Sequence, residues 1–265
     1  MKITVFTSNQ RRHNYLINIL HNLSSELFVI QEVDTLFPGL NSGRYPEGIE
    51  FQKYFKNVQN AEKKIFNIKN LNFKKKTHLL TMSKGDLNKI PFKNLSKFLK
   101  SDYYIVFGSS YIKGELVKFL IKNKAINIHM GVSPYYRGTD CNFWALYDDN
   151  PHYVGSTIHL LSEGLDSGQI LYHAISEATS NPFTYTMSTV KSAFKSLESR
   201  ILNKTLKKIR PEKQMREKEI RYSRRKEFDV SSINKFFKKK IKIFSSNNLS
   251  DFKEPFVLKK KDFYI

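Results

Sequence analysis

Asn127-Ile128-His129 sets a side-chain amide and an imidazole two residues apart at the close of an apolar run. On a strand that spacing puts both on one side, pairing an amide donor with a ring that gains or loses a proton near neutrality. Taken alone, a histidine that closes a strand is more often a hydrogen-bonded structural residue. Further on, Gly164-Leu165-Asp166-Ser167-Gly168 holds a carboxylate in a glycine-flanked turn. Two other polar stretches stand out. Thr7-Ser8-Asn9-Gln10-Arg11-Arg12-His13 carries two guanidinium forks, which suit a phosphate or pyrophosphate. Gly108-Ser109-Ser110-Tyr111-Ile112 follows a run of β-branched and aromatic residues.

These residues need elements to position them, and the apolar pattern supplies a parallel sheet with crossover helices. Lys2–Thr7, Leu27–Ile30, Thr77–Met82, Tyr103–Phe107 and Ala125–Ile128 read as buried strands. Tyr153–Leu161 and Gln169–Ser176 follow as two more. Asn14–Leu23, Phe92–Leu99 and Gly114–Ile121 read as helices between them, and Thr184–Ile209 as one long helix ending before Pro211. Phe37–Tyr54, with Pro38, Gly39, Gly43, Pro46 and Gly48, breaks the rhythm as a long loop ahead of a helix running to Phe66. Beyond Pro211, Arg221–Arg225 and Phe236–Lys242 are too charged to assign, while Phe256-Val257-Leu258 and Phe263-Tyr264-Ile265 are candidates for a sheet edge. The fold class is α/β, a Rossmann-like doubly wound and mostly parallel sheet with a short basic C-terminal extension. A catalytic domain over 1–178 is expected, with the long helix and basic extension over 179–265. In such sheets ligands sit outside the carboxyl ends of the strands, so the loops after strands are where chemistry belongs.

The 265 residues are 40% hydrophobic and 14% aromatic, enough to bury a core, which excludes a disordered basic protein despite the net charge of +21. Residues 200–265 hold 21 Lys and Arg against 8 Asp and Glu. This tail reads as a solvated face, with a polyanion-binding surface as the alternative. The single cysteine, Cys141, excludes a disulfide framework and a multi-cysteine zinc site, and no metal is expected. No apolar run approaches the roughly 18 residues of a membrane span, and the N-terminus reads as a strand rather than a leader. The expectation is a soluble, cytoplasmic protein. Asp140 reads as the N-cap of a helix whose Phe143, Trp144 and Leu146 pack inward, and His159 as a core histidine or a partner of the polar cluster.

Taken in order, Asn-Ile-His, Ser-Pro-Tyr-Tyr-Arg-Gly, Gly-Ser-Thr-Ile-His and Gly-Leu-Asp-Ser-Gly resemble the N-terminal catalytic domain of the 10-formyltetrahydrofolate-dependent formyltransferases. The resemblance covers about Met1 to Ile175 and is strongest from Tyr103 to Leu171. It implies that Asn127, His129 and Asp166 are the catalytic set, with 10-formyltetrahydrofolate as cosubstrate. Amine attack on the formyl carbon would develop negative charge on oxygen, which Asn127 and His129 could stabilise while Asp166 orients the imidazole. By the same resemblance Ser110, Tyr111 and Ile112 grip the pterin, and Leu161, Gly164 and Leu165 belong to the loop closing over it. Arg137, in the Pro-x-x-Arg-Gly loop, joins Asn9, Arg11 and Arg12 as the candidate acceptor-binding set.

The acceptor is narrowed by what the chain lacks. Purine-pathway relatives carry a glycine-rich phosphate turn after the first strand, and Thr7–His13 contains no glycine. Methionyl-tRNA enzymes append a β-barrel domain for which the residues after Pro211 leave little room. A small-molecule amine on a nucleotide-linked sugar is the first choice. A methionyl-tRNA enzyme using the basic tail on tRNA ranks second, followed by an inert relative that binds folate or RNA. A homodimer is left open.

Overall fold

Short apolar runs become strands here because helices cover both faces of the sheet they enter. The computed structural model describes residues 1–35, 37–40, 47–68, 71, 73, 76–243 and 249–264. Its strands are β1 (Lys2–Thr7), β2 (Glu26–Val33), β3 (Lys76–Ser83), β4 (Tyr103–Phe107), β5 (Ile126–His129), β6 (Tyr136–Gly138), β7 (Ser156–Leu160), β8 (Ile170–Ser176), β9 (Arg221–Ser223) and β10 (Phe256–Leu258). Eight of them form one sheet in the order β10-β8-β7-β5-β4-β1-β2-β3, and β6 pairs with β9 apart from it. The strands from β3 to β5 are all parallel, whereas β7 runs antiparallel to both β5 and β8. The order reverses between β1 and β4, which opens a crevice at their carboxyl ends.

The helices are α1 (Arg11–Leu23), α2 (Ile49–Ile65), α3 (Gly114–Lys122), α4 (Cys141–Tyr147), α5 (Pro182–Leu202) and α6 (Val230–Lys238). Side chains alternate across the sheet: Ile3, Val5, Ile105 and Phe107 join the apolar layer beneath α1, α2 and α5. Phe6, Tyr104 and Val106 pack on the other face with Leu116, Val117 and Leu120 of α3. Among the described residues no helix is long and apolar enough to cross a membrane.

Several boundaries differ from the sequence reading. The helix expected after Tyr54 already begins at Ile49, since buried Phe51 starts the apolar stripe that Ala61 and Ile65 continue; residues 36 and 41–46 of that region lie outside the described ones. Phe92–Leu99 is a 3-10 segment rather than an α-helix. The long helix starts at Pro182, with Asn181 accepting from the Thr184 N–H at 2.9 Å, and stops at Leu202. Lys204 turns left-handed at φ 55°, and only a 3-10 turn, Leu206–Lys208, follows.

The charged C-terminal stretches do form elements. Arg221 of β9 lies 3.7 Å over the Trp144 ring and bonds Asp148 at 2.9 Å, so its charge serves packing rather than solvation. Asp229 and Ser232 cap α6 reciprocally. Phe256–Leu258 pairs with β8 at the sheet edge, as its composition suggests. Phe263 follows a 3-10 turn and is buried in the core, and residue 265 lies outside the described chain.

His173 ties β8 to this C-terminal region. Its Nε2–H donates to the Ser133 carbonyl at 2.8 Å, and its Nδ1 accepts from the Lys253 N–H at 2.9 Å. Both nitrogens are satisfied only in the neutral ring. Burial therefore pushes its pKa down to about 4. The unfolded chain takes up a proton near pH 6.5 that the folded chain refuses until about pH 4, so stability is full above 6.5 and declines as pH falls through that window. Denaturant unfolding should give a stability about 2 kcal/mol lower at pH 5 than at pH 7.5, at roughly 1.4 kcal/mol per pH unit. In His173→Gln the slope should shrink; an unchanged slope refutes this account of His173.

Candidate active site

β5 ends at the carboxyl edge of the sheet with Asn127 opposite His159 and His129 opposite Thr157 of β7. Because β7 is antiparallel, it finishes with Leu160 opposite Ile126, at the entrance of β5. The Leu161–Gly168 loop must then double back to return Asp166 to the exit. It does so: Asp166 Oδ2 lies 3.3 Å from His129 Nδ1, and Oδ1 lies 3.2 Å from Asn127 Nδ2. Asp166 takes a left-handed φ of 45° in this turn. Gln214, from the C-terminal region, donates Nε2–H bonds of 2.8 Å to the carbonyls of Asp166 and Gly168 and pins the loop.

His159 completes the cluster. Its Nε2 accepts from Asn127 Nδ2 at 2.9 Å and lies 3.8 Å from Asp166 Oδ1, while Nδ1–H reaches the Leu160 carbonyl at 2.8 Å. The reading of His159 as a core histidine or a cluster partner resolves to the partner. Both hydrogens of the Asn127 amide are therefore engaged, with His159 and Asp166, where the sequence reading offered them to a developing oxyanion.

Burial lowers the His129 pKa, and the Asp166 carboxylate only partly opposes this, so the ring is neutral at pH 7. Burial alone would raise the Asp166 carboxyl, but the two imidazoles and Arg137 bring it below its ordinary value. With the Asp166 carboxylate 3.3 Å from Nδ1, the tautomer protonated there is favoured and Nε2 carries the lone pair; Nε2 is buried and has no hydrogen-bond partner. Gly131 keeps the space beside it open, since a Cβ there would come 2.6 Å from Nε2.

His129, Asn127 and Asp166 face a cavity of about 350 Å³. The residues assigned to the cosubstrate, Ser110, Tyr111, Ile112, Leu161, Gly164 and Leu165, all line it. Glu32, buried at the end of β2, holds the Ser110 loop by accepting from the Ser110 N–H (2.5 Å) and hydroxyl (2.7 Å) and from the Gly85 N–H (2.7 Å). Across the opening, the Tyr111 hydroxyl donates to the Glu163 carbonyl. Gly108 turns the chain at φ 72° directly over the His13 ring, where a Cβ would collide with Nε2.

The acceptor-binding set divides. Arg12 lines the cavity and ion-pairs with Glu62 of α2. Arg11 faces an adjoining groove and donates to the Ile68 carbonyl at 3.0 Å. Asn9 is spent on Asp34, donating to its carbonyl and accepting its N–H. Arg137 is buried away from the cavity, bound to Glu219 at 2.8 Å and to the Leu165 carbonyl at 3.4 Å, because a guanidinium in that setting needs a carboxylate. Asp140 is no cap: it stands at φ 55°, makes no capping bond and lines the cavity. Glu32, His13 and Gln214 had no signal in the sequence beyond their polarity at apolar or unassigned positions.

A family model described as formyl transferase matches residues 57–206. That is more than half of the chain, which therefore belongs to the formyl transferase family. Among solved structures, the chain is similar to a sugar N-formyltransferase from Shewanella sp FDAARGOS_354, at TM-score 0.52 and 13% identity over 94% of this chain and 91% of that one. An N-formyltransferase from Helicobacter canadensis, in complex with folinic acid and dTDP-3-aminofucose, gives 0.52 at 14% identity over 93% and 85%. A 4-N formyltransferase from Francisella tularensis gives 0.51 at 17% over 89% and 86%. At such identities the likeness is one of fold.

Cys141 lies under Gly131, and burial pushes its thiol well above the ordinary range, with Asp166 and Asp140 adding to the effect. A thiol that stays protonated is a poor nucleophile. A disulfide reagent such as Ellman's should leave the native protein unmodified over minutes and react with one thiol per chain only on unfolding; rapid native labelling contradicts the burial described.

Proposed function

We propose that this protein transfers a formyl group from 10-formyltetrahydrofolate to the primary amine of a nucleotide-linked amino sugar. The observation that carries the reading is His129: a buried neutral imidazole, oriented through Nδ1 by a carboxylate, with Nε2 unpartnered in a cavity. The cavity fits a reduced folate in character. Val106, Ile112, Val117, Leu161 and Leu165 offer an apolar slot, and the Ser110–Ile112 backbone offers hydrogen-bonding groups at its side. The cosubstrate supplies an activated one-carbon unit when bound. The sugar acceptor is supported by fold: a neighbour described as a sugar N-formyltransferase and one in complex with dTDP-3-aminofucose match over 91% and 85% of their lengths.

The residues divide the work. His129 Nε2 takes the proton that the attacking amine sheds, donates as imidazolium to the oxygen on which charge develops, and passes that proton to the departing donor nitrogen as the old formyl C–N bond breaks. Asp166 stabilises that imidazolium and keeps its orientation. Asn127 lends the formyl oxygen the hydrogen it holds toward Asp166, the longer of its two bonds at 3.2 Å. His159 keeps the amide from rotating by accepting the other. No covalent adduct with the enzyme is required.

Mixing the protein with 10-formyltetrahydrofolate and a panel of dTDP- and UDP-linked amino sugars should release tetrahydrofolate only when an acceptor amine is present. Release without any acceptor would instead mark a hydrolase. Replacing His129 or Asn127 by Ala should cost roughly two to three powers of ten in kcat, the usual effect of an oxyanion donor. Activity should be level at neutral pH and fall on acidification below pH 6.5 as His129 takes a proton. Activity that does not fall with acidification anywhere short of acid unfolding would exclude His129 as the base.

A further inference from the structure

Beyond His129 the cleft continues into a second chamber of about 220 Å³. The two chambers share Arg12, His129, Met130, Gly138 and Asp140, so they meet at the imidazole. Their walls differ in kind. The second is built from Tyr54, Phe55, Phe143 and Phe183, flat rings of the sort that pack on the faces of sugars. It also holds two side chains with polar atoms left over for a ligand. Asn142 is 3% exposed and accepts from the Gly155 N–H at 3.0 Å, yet its Nδ2 donor has no partner and is buried on the chamber wall.

Asp140 is the other. It opens to solvent inside the cleft, and among the described residues no cation stands within ion-pair distance of it. Surrounding protein lifts its carboxyl to about 6, while Arg225 and Arg12, acting at longer range, and the neighbouring Thr139 pull it back. At neutral pH it is a carboxylate. Its backbone sits at φ 55°, a conformation that a β-carbon disfavours and that Asp and Asn tolerate best, and the residue spends nothing on capping α4.

Arg12 on this wall is matched to Glu62, and a carboxylate beside an amide donor in an aromatic chamber suits a cationic amine on a ring that carries oxygen acceptors. We infer that this second chamber receives the amine-bearing sugar of the acceptor, with Asp140 binding its ammonium and taking one of its protons to free the lone pair, and Asn142 Nδ2 donating to an oxygen on the same ring. The inference rests on the formyl-transfer reading and adds to it the residues that choose the acceptor. Asp140 is a specificity-determining residue on this account, since it holds the amine at the junction from which His129 is reached.

The test is steady-state kinetics of Asp140→Asn, a change that keeps the side-chain shape and the left-handed backbone. With the panel sugar of highest turnover, the acceptor KM should rise about tenfold or more, the loss typical of a charged hydrogen bond, while the KM for 10-formyltetrahydrofolate stays unchanged. A second measurement needs no stable variant. The same nucleotide sugar with hydroxyl in place of amine should inhibit the native enzyme at least tenfold more weakly than the amine binds. An unaltered acceptor KM, or equal affinity of the native enzyme for amine and hydroxyl forms, overturns the assignment of Asp140 and leaves formyl transfer standing. Failure of the native protein to formylate any amine on the panel overturns the functional reading, and this inference with it.

Discussion

Asp166 carries a negative charge into a position enclosed by His129, His159 and Asn127, and a charge so far from bulk water persists only when donors surround it. The enclosure also sets the direction of every hydrogen bond nearby. His159 gives its Nδ1–H to the Leu160 carbonyl, so its Nε2 must accept, so the Asn127 nitrogen must face it. That fixes which end of the amide meets Asp166. The Asp166 carboxylate, 3.3 Å from His129 Nδ1, favours the proton there, which leaves the lone pair on Nε2 at the cavity. Four contacts thus run from one backbone carbonyl to the ring placed to do chemistry, and the last of them, from Asp166, sets its tautomer.

Holding the carboxylate there is a problem of chain direction. Since β7 runs against β5, the loop that bears Asp166 leaves the sheet at the wrong end and has to climb back along its neighbour. The return is tight. At Gly168 a side chain would collide with the Leu160 carbonyl, so only a bare backbone passes. Gln214 grips the loop from one side, and the Arg137–Glu219 pair reaches the Leu165 carbonyl from another. Residues beyond 210 are therefore part of what keeps the site in shape, whatever else their positive charge does.

The strands were legible wherever a run is buried on both faces. Lys2–Thr7 and Tyr103–Phe107 have the ends that their composition suggests, and the loops after them open onto the crevice. Asn127 and His129 were legible as a pair because a two-residue spacing survives any placement of the strand. Asp166 was legible by resemblance, not by the rule that ligands gather at strand exits, because its own strand exits at the far side. His159 was legible only as one of two alternatives and Glu32 not at all: each acts on a partner more than thirty residues away, and only pairing in space gives a buried polar residue its meaning. Asp140 was misread for a related reason. An aspartate before a helix looks like a cap, and the left-handed turn that withdraws it from that task leaves no mark in the sequence.

The charges around His129 form a gradient that a single buried pair would not need. On the side of Ile112, Val117 and Leu161 the cavity wall is apolar, and Glu32 behind it is consumed by the Ser110 loop. On the other side stand Arg12, already matched to Glu62, and Asp140, matched to nothing within ion-pair distance among the described residues. A neutral imidazole at such a boundary costs no charge burial while it waits. Once it holds a proton, Asp166 faces its Nδ1 and Asp140 stands in the same cleft, so the imidazolium is met by negative charge already in place. The low pKa that burial imposes on His129 and the carboxylates around it act together: the first keeps the ring able to accept a proton, and the second makes the accepted proton tolerable.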